Sequence, residues 1–422
     1  MESGRAPVPR RVAVVGAGML GLSTAWFLLR DGIDVEVFEE RTAGSGASWG
    51  NAGWLAPALT TPLPGPAMLR VGIRAALDPS SPVYVPPRAN PRLWRFLAGF
   101  VRNSTPARHR RGLAAYRDVN ELALDAVDEI AAGGADLAMR PAGEFLVCFD
   151  DLAGRGELLA ELAAMAETGQ KVGHDVLDGD EARSRAPMLS DRVAGAVALH
   201  DQRFVDPPRC LAGLAGAVTS GGALLREGAG VTGVHDDGGA VTVRWTQEGR
   251  PDETRFDAVV LATGALGTGL SRPFGVRTPV QAGRGYSFAV PVTELPEGPV
   301  YLPAQRVAMT PLGDRLRIAG MMEFRAPQEP LDPRRIAAIT RAVEPFLRGA
   351  DLTDRADEWV GSRPCTPDGL PLAGPTRSPR VFVAGGLGMW GMVLGPLTGR
   401  LVAENIVTGR VPDALRPFAP TR

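Results

Sequence analysis

A chain of 422 residues with 52 Gly and 37 Pro is long enough for two or three domains at roughly 100 to 200 residues each. With 45% apolar and 22% charged residues it is neither disordered, collagen-like nor coiled-coil. Forty-six basic residues against 47 acidic ones leave a net charge of −1, which excludes the basic field that gathers nucleic acid.

The first predicted elements are a strand over Arg11–Val15 and a helix that opens on Gly16-Ala17-Gly18-Met19-Leu20-Gly21. Gly16 permits the tight turn, Gly18 lets the backbone approach a pyrophosphate, and Gly21 lets helix and strand pack closely. The helix N-terminus offers free N–H groups to the anion. A second strand, Asp34–Phe38, ends at Glu39, where a carboxylate meets a ribose hydroxyl; Glu40 stands beside it and can exchange roles. The combination predicts a dinucleotide site, in a fingerprint that FAD and NAD share. The small-residue loop that follows suits a large flat cofactor. Amides around Ala47 and Ser48 can reach phosphate, and Asn51, Ala52 and Gly53 let the chain pass close to a ring.

Residues 60–91 are rich in proline and predict a long ordered connector that covers the site or touches a membrane. Helical spacing follows over residues 91–103, 111–131 and 152–168, with a strand at 144–149 between them and a turn entering a short helix over 177–186. After a helix over 209–219, short strands lead to the buried run 257–265, which ends in Thr263 and Gly264 at a sheet's carboxyl edge. Residues 278–370 alternate strands with one helix, 333–347, and read as a separate antiparallel sheet. The strand 381–384 then feeds a second glycine-rich turn, Gly385-Gly386-Leu387-Gly388-Met389-Trp390-Gly391-Met392, and a helix to about 407. The cofactor domain is therefore expected to be assembled from both chain ends. Cys148, Cys210 and Cys365 lie far apart without a CxxC, which excludes a zinc site or disulfide framework and fits a reducing compartment. The opening residues lack an apolar signal core, and no run of about 18 apolar residues occurs, so a cytoplasmic protein is expected, with peripheral contact at the inner membrane face open.

With these pieces, the sequence resembles the family of FAD-dependent amine and amino-acid oxidoreductases that includes D-amino-acid oxidase, glycine oxidase and sarcosine oxidase, and is most like the D-amino-acid dehydrogenase small-subunit branch. The likeness spans residues 11–404 and rests on VAVVGAGMLGLSTAWFL, SWGNAGWLAP, RVAMTPLGDRLRIAGMMEF and WVGSRPCTPDGLPLAGPT. It implies an α/β fold: a Rossmann-like FAD-binding domain from residues 10–90, 190–275 and 355–410, and a substrate domain from 91–189 and 276–354 with a mixed, largely antiparallel sheet. It implies noncovalent FAD lined by Gly16, Gly18, Gly21, Glu39, Arg41, Ala47, Ser48, Asn51 and Gly53, with the amides of Gly386 to Met392 at the flavin pyrimidine edge. Fixed N–H dipoles there stabilise the negative charge of reduced flavin.

The implied reaction is oxidation of the C–N bond of a D-amino acid by hydride transfer to flavin N5, giving an imine that water hydrolyses to a 2-oxo acid and ammonia. Electrons then pass to a quinone, another carrier or oxygen. By the same likeness Arg363, in Ser362-Arg363-Pro364, follows a short strand and clamps the substrate α-carboxylate with its two-pronged fork. Three departures stand out. Ala308 takes the place of a Tyr that adds to this grip in the oxidases, leaving Tyr286 or Tyr301 to substitute. Gly361 stands where relatives attach flavin through Cys, and the single lysine, Lys171, lies far from the motifs. Leu387 replaces a His, which with bulky Met389, Trp390 and Met392 motivates the alternative of a secondary amine or cyclic imino acid such as proline, hydroxyproline or an N-methyl amino acid.

Overall fold

The computed structural model describes residues 8–66, 81–86 and 90–422. Much of the proline-rich connector thus lies outside the described residues, but its far end, Val83–Tyr84, is a short strand. The predicted opening is present as strand Arg11–Val15, helix Met19–Arg30 and strand Asp34–Phe38. In each strand all but the first residue is buried, as a strand covered on both faces requires. They lie inside a six-stranded sheet in the order Leu224–Arg226, Asp34–Phe38, Arg11–Val15, Ala258–Leu261, Val381–Gly385 and Leu372–Pro375. Every pair is parallel except the last, so strands from the start, middle and end of the chain are neighbours. The buried Glu36 is paired with Arg11, at 2.7 Å, and with Arg226, which ties three strands together.

Helices Met19–Arg30, Ala123–Ala132, Pro207–Ser220 and Gly391–Thr408 cover one face through Leu22, Phe27, Ile130, Leu214 and Leu397. On the other face an antiparallel ribbon, Ala229–Asp236, Val241–Gln247 and Arg250–Phe256, packs through Trp245 and Phe256 onto Phe38. The first and last of these helices approach closely at Gly395 and Gly399. A Cβ at Gly395 would stand 2.8 Å from Met19 Cγ, and one at Gly399 2.7 Å from the Thr24 nitrogen. Contacts in that order mean that both helices run the same way, so their N-termini lie side by side at the sheet's carboxyl edge.

The second sheet is larger than residues 278–370 alone predict. Its order is Ala356–Cys365, Gln281–Val290, Arg315–Glu323, Val307–Leu312, Val300–Leu302, Phe145–Phe149, Gly195–Leu199 and His174–Asp178, with Val83–Tyr84 paired to Arg315–Glu323. It is mixed, parallel at Leu146 beside Val300 and at Met322 beside Val83, and otherwise antiparallel. Sheet membership runs across the sequence boundaries: Gly195–Leu199 and Ala356–Cys365 belong here, while helix Ala123–Ala132 packs under the six-stranded sheet. An apolar run announces a strand but not its partner. Helix Pro333–Val343 covers the outer face through Ile336, Ile339 and Val343.

Cys148, Cys210 and Cys365 are buried and unpaired, and burial pushes their thiols up to about 12, 12 and 11. Among the described residues no helix is long and apolar enough to cross a membrane, and no cluster of His, Cys, Asp or Glu could hold a metal.

Candidate active site

The first turn is built so that no side chain can enter it. Gly16 has φ +107°, and a Cβ there would lie 2.5 Å from the Ala262 carbonyl oxygen; a Cβ on Gly21 would overlap the carbonyl of Gly16. Thr263 and Gly264 continue from Ala262, with Gly264 at φ +60°. Helix Met19–Arg30 starts at Gly18 with neither a side-chain cap nor an acid in its first turn. Its Met19 N–H donates to Ser48 Oγ at 3.3 Å, which brings the small-residue loop to the helix N-terminus. Helix Gly391–Thr408 also begins without a side-chain cap or first-turn acid. Two adjacent N-termini whose N-cap residues, Gly18 and Trp390, supply no capping side chain form a positive field that an anion completes.

Glu39, not Glu40, faces this turn. Glu39 Oε2 accepts from the Ala17 N–H at 2.9 Å and Oε1 from the Arg41 N–H at 3.0 Å, while Glu40 is exposed beside Gly230. The Arg41 side chain is exposed. The loop folds back where the Gly44 N–H donates to the Ala17 carbonyl at 2.8 Å, and Ala47 is half-buried along it. Asn51 Oδ1 accepts from the Gly53 N–H at 2.9 Å, and Gly53, at φ +79°, accepts from the Val205 N–H at 2.8 Å.

From there the loop crosses the second sheet. Thr310 Oγ donates to the Ala52 carbonyl at 2.8 Å and accepts from Trp54 Nε1 at 2.9 Å. Arg317, directly opposite Thr310 in register, donates to the Trp49 carbonyl at 3.3 Å and lies over the Trp49 ring. Trp359 folds its indole over Gly361 and Gly50, each of which would collide with it if it carried a Cβ. Trp359, Gly361 and Arg363 alternate along one strand and so share the face that the loop covers.

Arg363 lies inside the ten-residue strand Ala356–Cys365 rather than after a short one; Gly361 and the polar residues around it weaken the strand signal. Its half-buried guanidinium stretches across Gly285, where a Cβ would overlap it, and Nη1 donates to the Met321 carbonyl at 2.7 Å. That carbonyl is aimed by Met321 itself, at φ +67°, where the register with Gln281–Val290 shifts. Desolvation pulls the Arg363 guanidinium below its ordinary value, and among the described residues it has no carboxylate partner. A partly desolvated cation without a counter-ion is a receiver for an anion.

Tyr301 stands on this same face, in a row with Ala308, Ala319 and Ser287. It packs edge-on against Trp54, with ring centroids 5.3 Å apart, and its phenol and Arg363 lie close enough to influence each other's charge. Ala308 is directly opposite Tyr301, so the small residue leaves the phenol its room. The hydroxyl of Ser287 is buried on this face without a partner among the described residues.

Tyr286 is corrected. It points to the opposite face, donating to Glu323 Oε2 at 2.6 Å within a buried cluster that includes Arg284. Side chains on adjacent strand positions point to opposite faces, and the register puts Tyr286 with the helix-covered core. Tyr286→Phe is therefore expected to lower stability by about 1–3 kcal/mol, the cost of a buried carboxylate that loses a donor. Denaturant titration checks this, and the rate of substrate-driven flavin reduction should not change.

The C-terminal turn docks beside Arg363, where the Gly388 N–H donates to the Pro364 carbonyl at 3.0 Å. Gly386 (φ +70°) and Gly388 (φ +54°) need their glycines. The side chains of this turn do not crowd a substrate as their bulk suggests. Leu387 and Met392 are buried in the core of the six-stranded sheet, Trp390 donates its indole N–H to Thr61 O at 2.8 Å, and Met389 packs toward Cys365 and Met322. The turn from Gly386 to Met392 thus offers backbone. Lys171 is exposed.

Sequence reasoning missed Gly285, Met321, Ser287, Arg317 and Trp359. One signal was present: Gly283 and Gly285 alternate in an otherwise bulky strand, which marks a close approach on one face. Glycines whose Cβ would collide with backbone, two adjacent helix N-termini without a capping N-cap side chain and the orphan Ser287 hydroxyl fit a long, flat, anionic cofactor.

The comparisons agree with this geometry. The family model described as FAD dependent oxidoreductase matches residues 11–405. A D-amino acid dehydrogenase of Cereibacter sphaeroides is 30% identical over 96% of this chain and 93% of its own, and one of Methylobacterium radiotolerans 31% identical over 95% and 96%. Among solved structures, glycine oxidase from Geobacillus kaustophilus superposes with a TM-score of 0.75 at 24% identity, covering 98% of this chain and 99% of its own. L-proline dehydrogenase from P. horikoshii gives 0.69 at 18% identity, over 99% and 98%. With a glycine cradle at both chain ends and a family match over nearly the whole length, the chain belongs to the FAD dependent oxidoreductase family and is an FAD-dependent oxidoreductase.

Proposed function

We propose that this enzyme oxidises the C–N bond of a D-amino acid, giving an imine that water hydrolyses to a 2-oxo acid and ammonia. The observation that carries the reading is Arg363: a half-buried guanidinium without a carboxylate partner among the described residues, on the loop-covered face and next to the docked C-terminal turn. Its fork receives the α-carboxylate and fixes the α-carbon, and the Tyr301 hydroxyl donates to the same group. D-preference follows from which α-hydrogen then faces the cofactor. Trp54 and Tyr301 exclude water from that end.

The residues to hold FAD noncovalently are Gly16, Ala17, Gly18, Met19, Leu20, Gly21 and Ser48 at the pyrophosphate, and Glu39 at the ribose. Arg41, Ala47, Asn51, Ala52, Gly53, Thr263 and Gly264 would line the rest of it, and the turn from Gly386 to Met392 would offer its backbone N–H groups, apart from those of Gly388 and Trp390 that donate to Pro364 and Leu387, to the pyrimidine edge. When bound, FAD supplies the hydride acceptor. No protein nucleophile is placed for the reaction: burial keeps Cys365 a thiol, and Lys171 is exposed. Electrons leave to a quinone, another carrier or oxygen.

Anaerobic mixing with D-amino acids, L-amino acids and cyclic imino acids tests this. Loss of the visible flavin absorbance with the D-amino acids is expected, and recovery on admitting air separates oxidase from dehydrogenase. Bleaching only by proline-like or N-methyl substrates would replace this reading with the secondary-amine alternative.

A further inference from the structure

From Pro79 to Arg117 the sequence contains eight arginines and no Asp or Glu, in a chain whose net charge is −1. Positive charge is therefore concentrated here, against an acidic excess elsewhere. Helix Pro91–Asn103 lies in this stretch. Leu93 and Phe96 are buried against Val83, Met322, Phe324 and Cys365, and a Cβ on Gly99 would stand 2.7 Å from Pro367, so the helix cannot roll on its bed. Trp94, Ala98 and Val101, at i, i+4 and i+7, consequently form an apolar stripe that faces outward. Trp94 is 55% exposed and Val101 51%. Arg95 and Arg102 are exposed along one side of the stripe, and Arg110 and Arg111 are exposed at the start of the next helix, Pro106–Glu121. The first ion pair that the stretch makes among the described residues is Arg117 with Asp118.

We infer that this face docks on an anionic lipid surface. An apolar stripe with Trp, edged by unpaired arginines, is how a helix lies in the plane of a bilayer: the stripe enters the headgroup boundary while the guanidinium groups meet lipid phosphates. Charge complementarity selects the occupant, since the stretch from Pro79 to Arg117 brings eight arginines and no carboxylate of its own to be repelled. The helix forms an outer wall of the Arg363 region, with Cys365 and Met322 between them, so docking brings that region to the membrane. The inference rests on the proposed function only in that the reduced cofactor requires an oxidant, which a bilayer can carry.

Flotation of the FAD-loaded enzyme with vesicles tests it. Association is expected with vesicles that contain phosphatidylglycerol, not with phosphatidylcholine alone, and high salt should release it. Arg95→Gln/Arg102→Gln is expected to weaken association about 25-fold, roughly fivefold per arginine. Trp94→Ser should weaken it at every salt concentration. No association with anionic vesicles, equal association with neutral ones, or binding unchanged in both variants would overturn the inference, as would capture by a soluble acidic electron carrier instead of the vesicles. Flavin bleaching by D-amino acids, measured in solution on the same preparations, should be unchanged in both variants. Its absence in the unaltered enzyme would count against the substrate and leave the lipid result standing.

Discussion

Arg363→Leu is expected to reduce the second-order rate of flavin reduction by D-amino acids by about 10²- to 10⁴-fold, since losing one partner of a buried charge pair costs about 3–5 kcal/mol. The loss arises in the complex, where the substrate carboxylate would be left in a dry site without its counter-ion. The folded protein should not suffer, because the substitution orphans no carboxylate and only the Met321 carbonyl loses a donor. Thermal stability is expected to stay level or rise. Arg363→Lys keeps the charge but not the planar fork, and should fall between the two. Anaerobic stopped-flow separates the outcomes: the variants should bind FAD as the unaltered enzyme does and differ in the substrate concentration needed to bleach it.

Gly21→Val is expected to abolish FAD retention. The Cβ would overlap the carbonyl of Gly16, so helix Met19–Arg30 would have to move off its strand, and with it the N-terminal N–H groups proposed to receive the pyrophosphate. Overpacking of this kind costs about 1–3 kcal/mol or more, which a chain of this size can survive. The expected product is folded protein that elutes colourless. Flavin content per chain and fluorescence quenching on adding FAD check this, with far-ultraviolet circular dichroism reporting the fold. A yellow Gly21→Val protein would show that this turn is not the cofactor's phosphate site.

The cofactor half was legible in the sequence because its constraints are local. Gly16 answers to its own positive φ and Gly21 to the Gly16 carbonyl five residues back, and Glu39 follows from the length of the second strand. Arg363 came from the family resemblance, since 46 basic residues offer no physical way to pick one. What escaped depends on register. Tyr286 and Tyr301 are equal candidates until pairing with Val360 and with Ala308 sends them to opposite faces of one sheet. The bulge at Met321 and the glycine bed of Gly285 under the guanidinium are likewise products of strand pairing across long sequence separations. Met389, Trp390 and Met392 escape for the same reason: their bulk is visible in the sequence, but the direction of each side chain is set by what it packs against or donates to.

An Arg363 guanidinium without a carboxylate partner among the described residues is proposed to receive a substrate carboxylate beside the flavin. The most direct measurement is a titration of oxidised, FAD-loaded enzyme with a carboxylate that cannot be oxidised, followed through the flavin absorbance spectrum. A saturable spectral shift in the unaltered enzyme that disappears in Arg363→Leu is the predicted result. An equal shift with equal affinity in both proteins would contradict it.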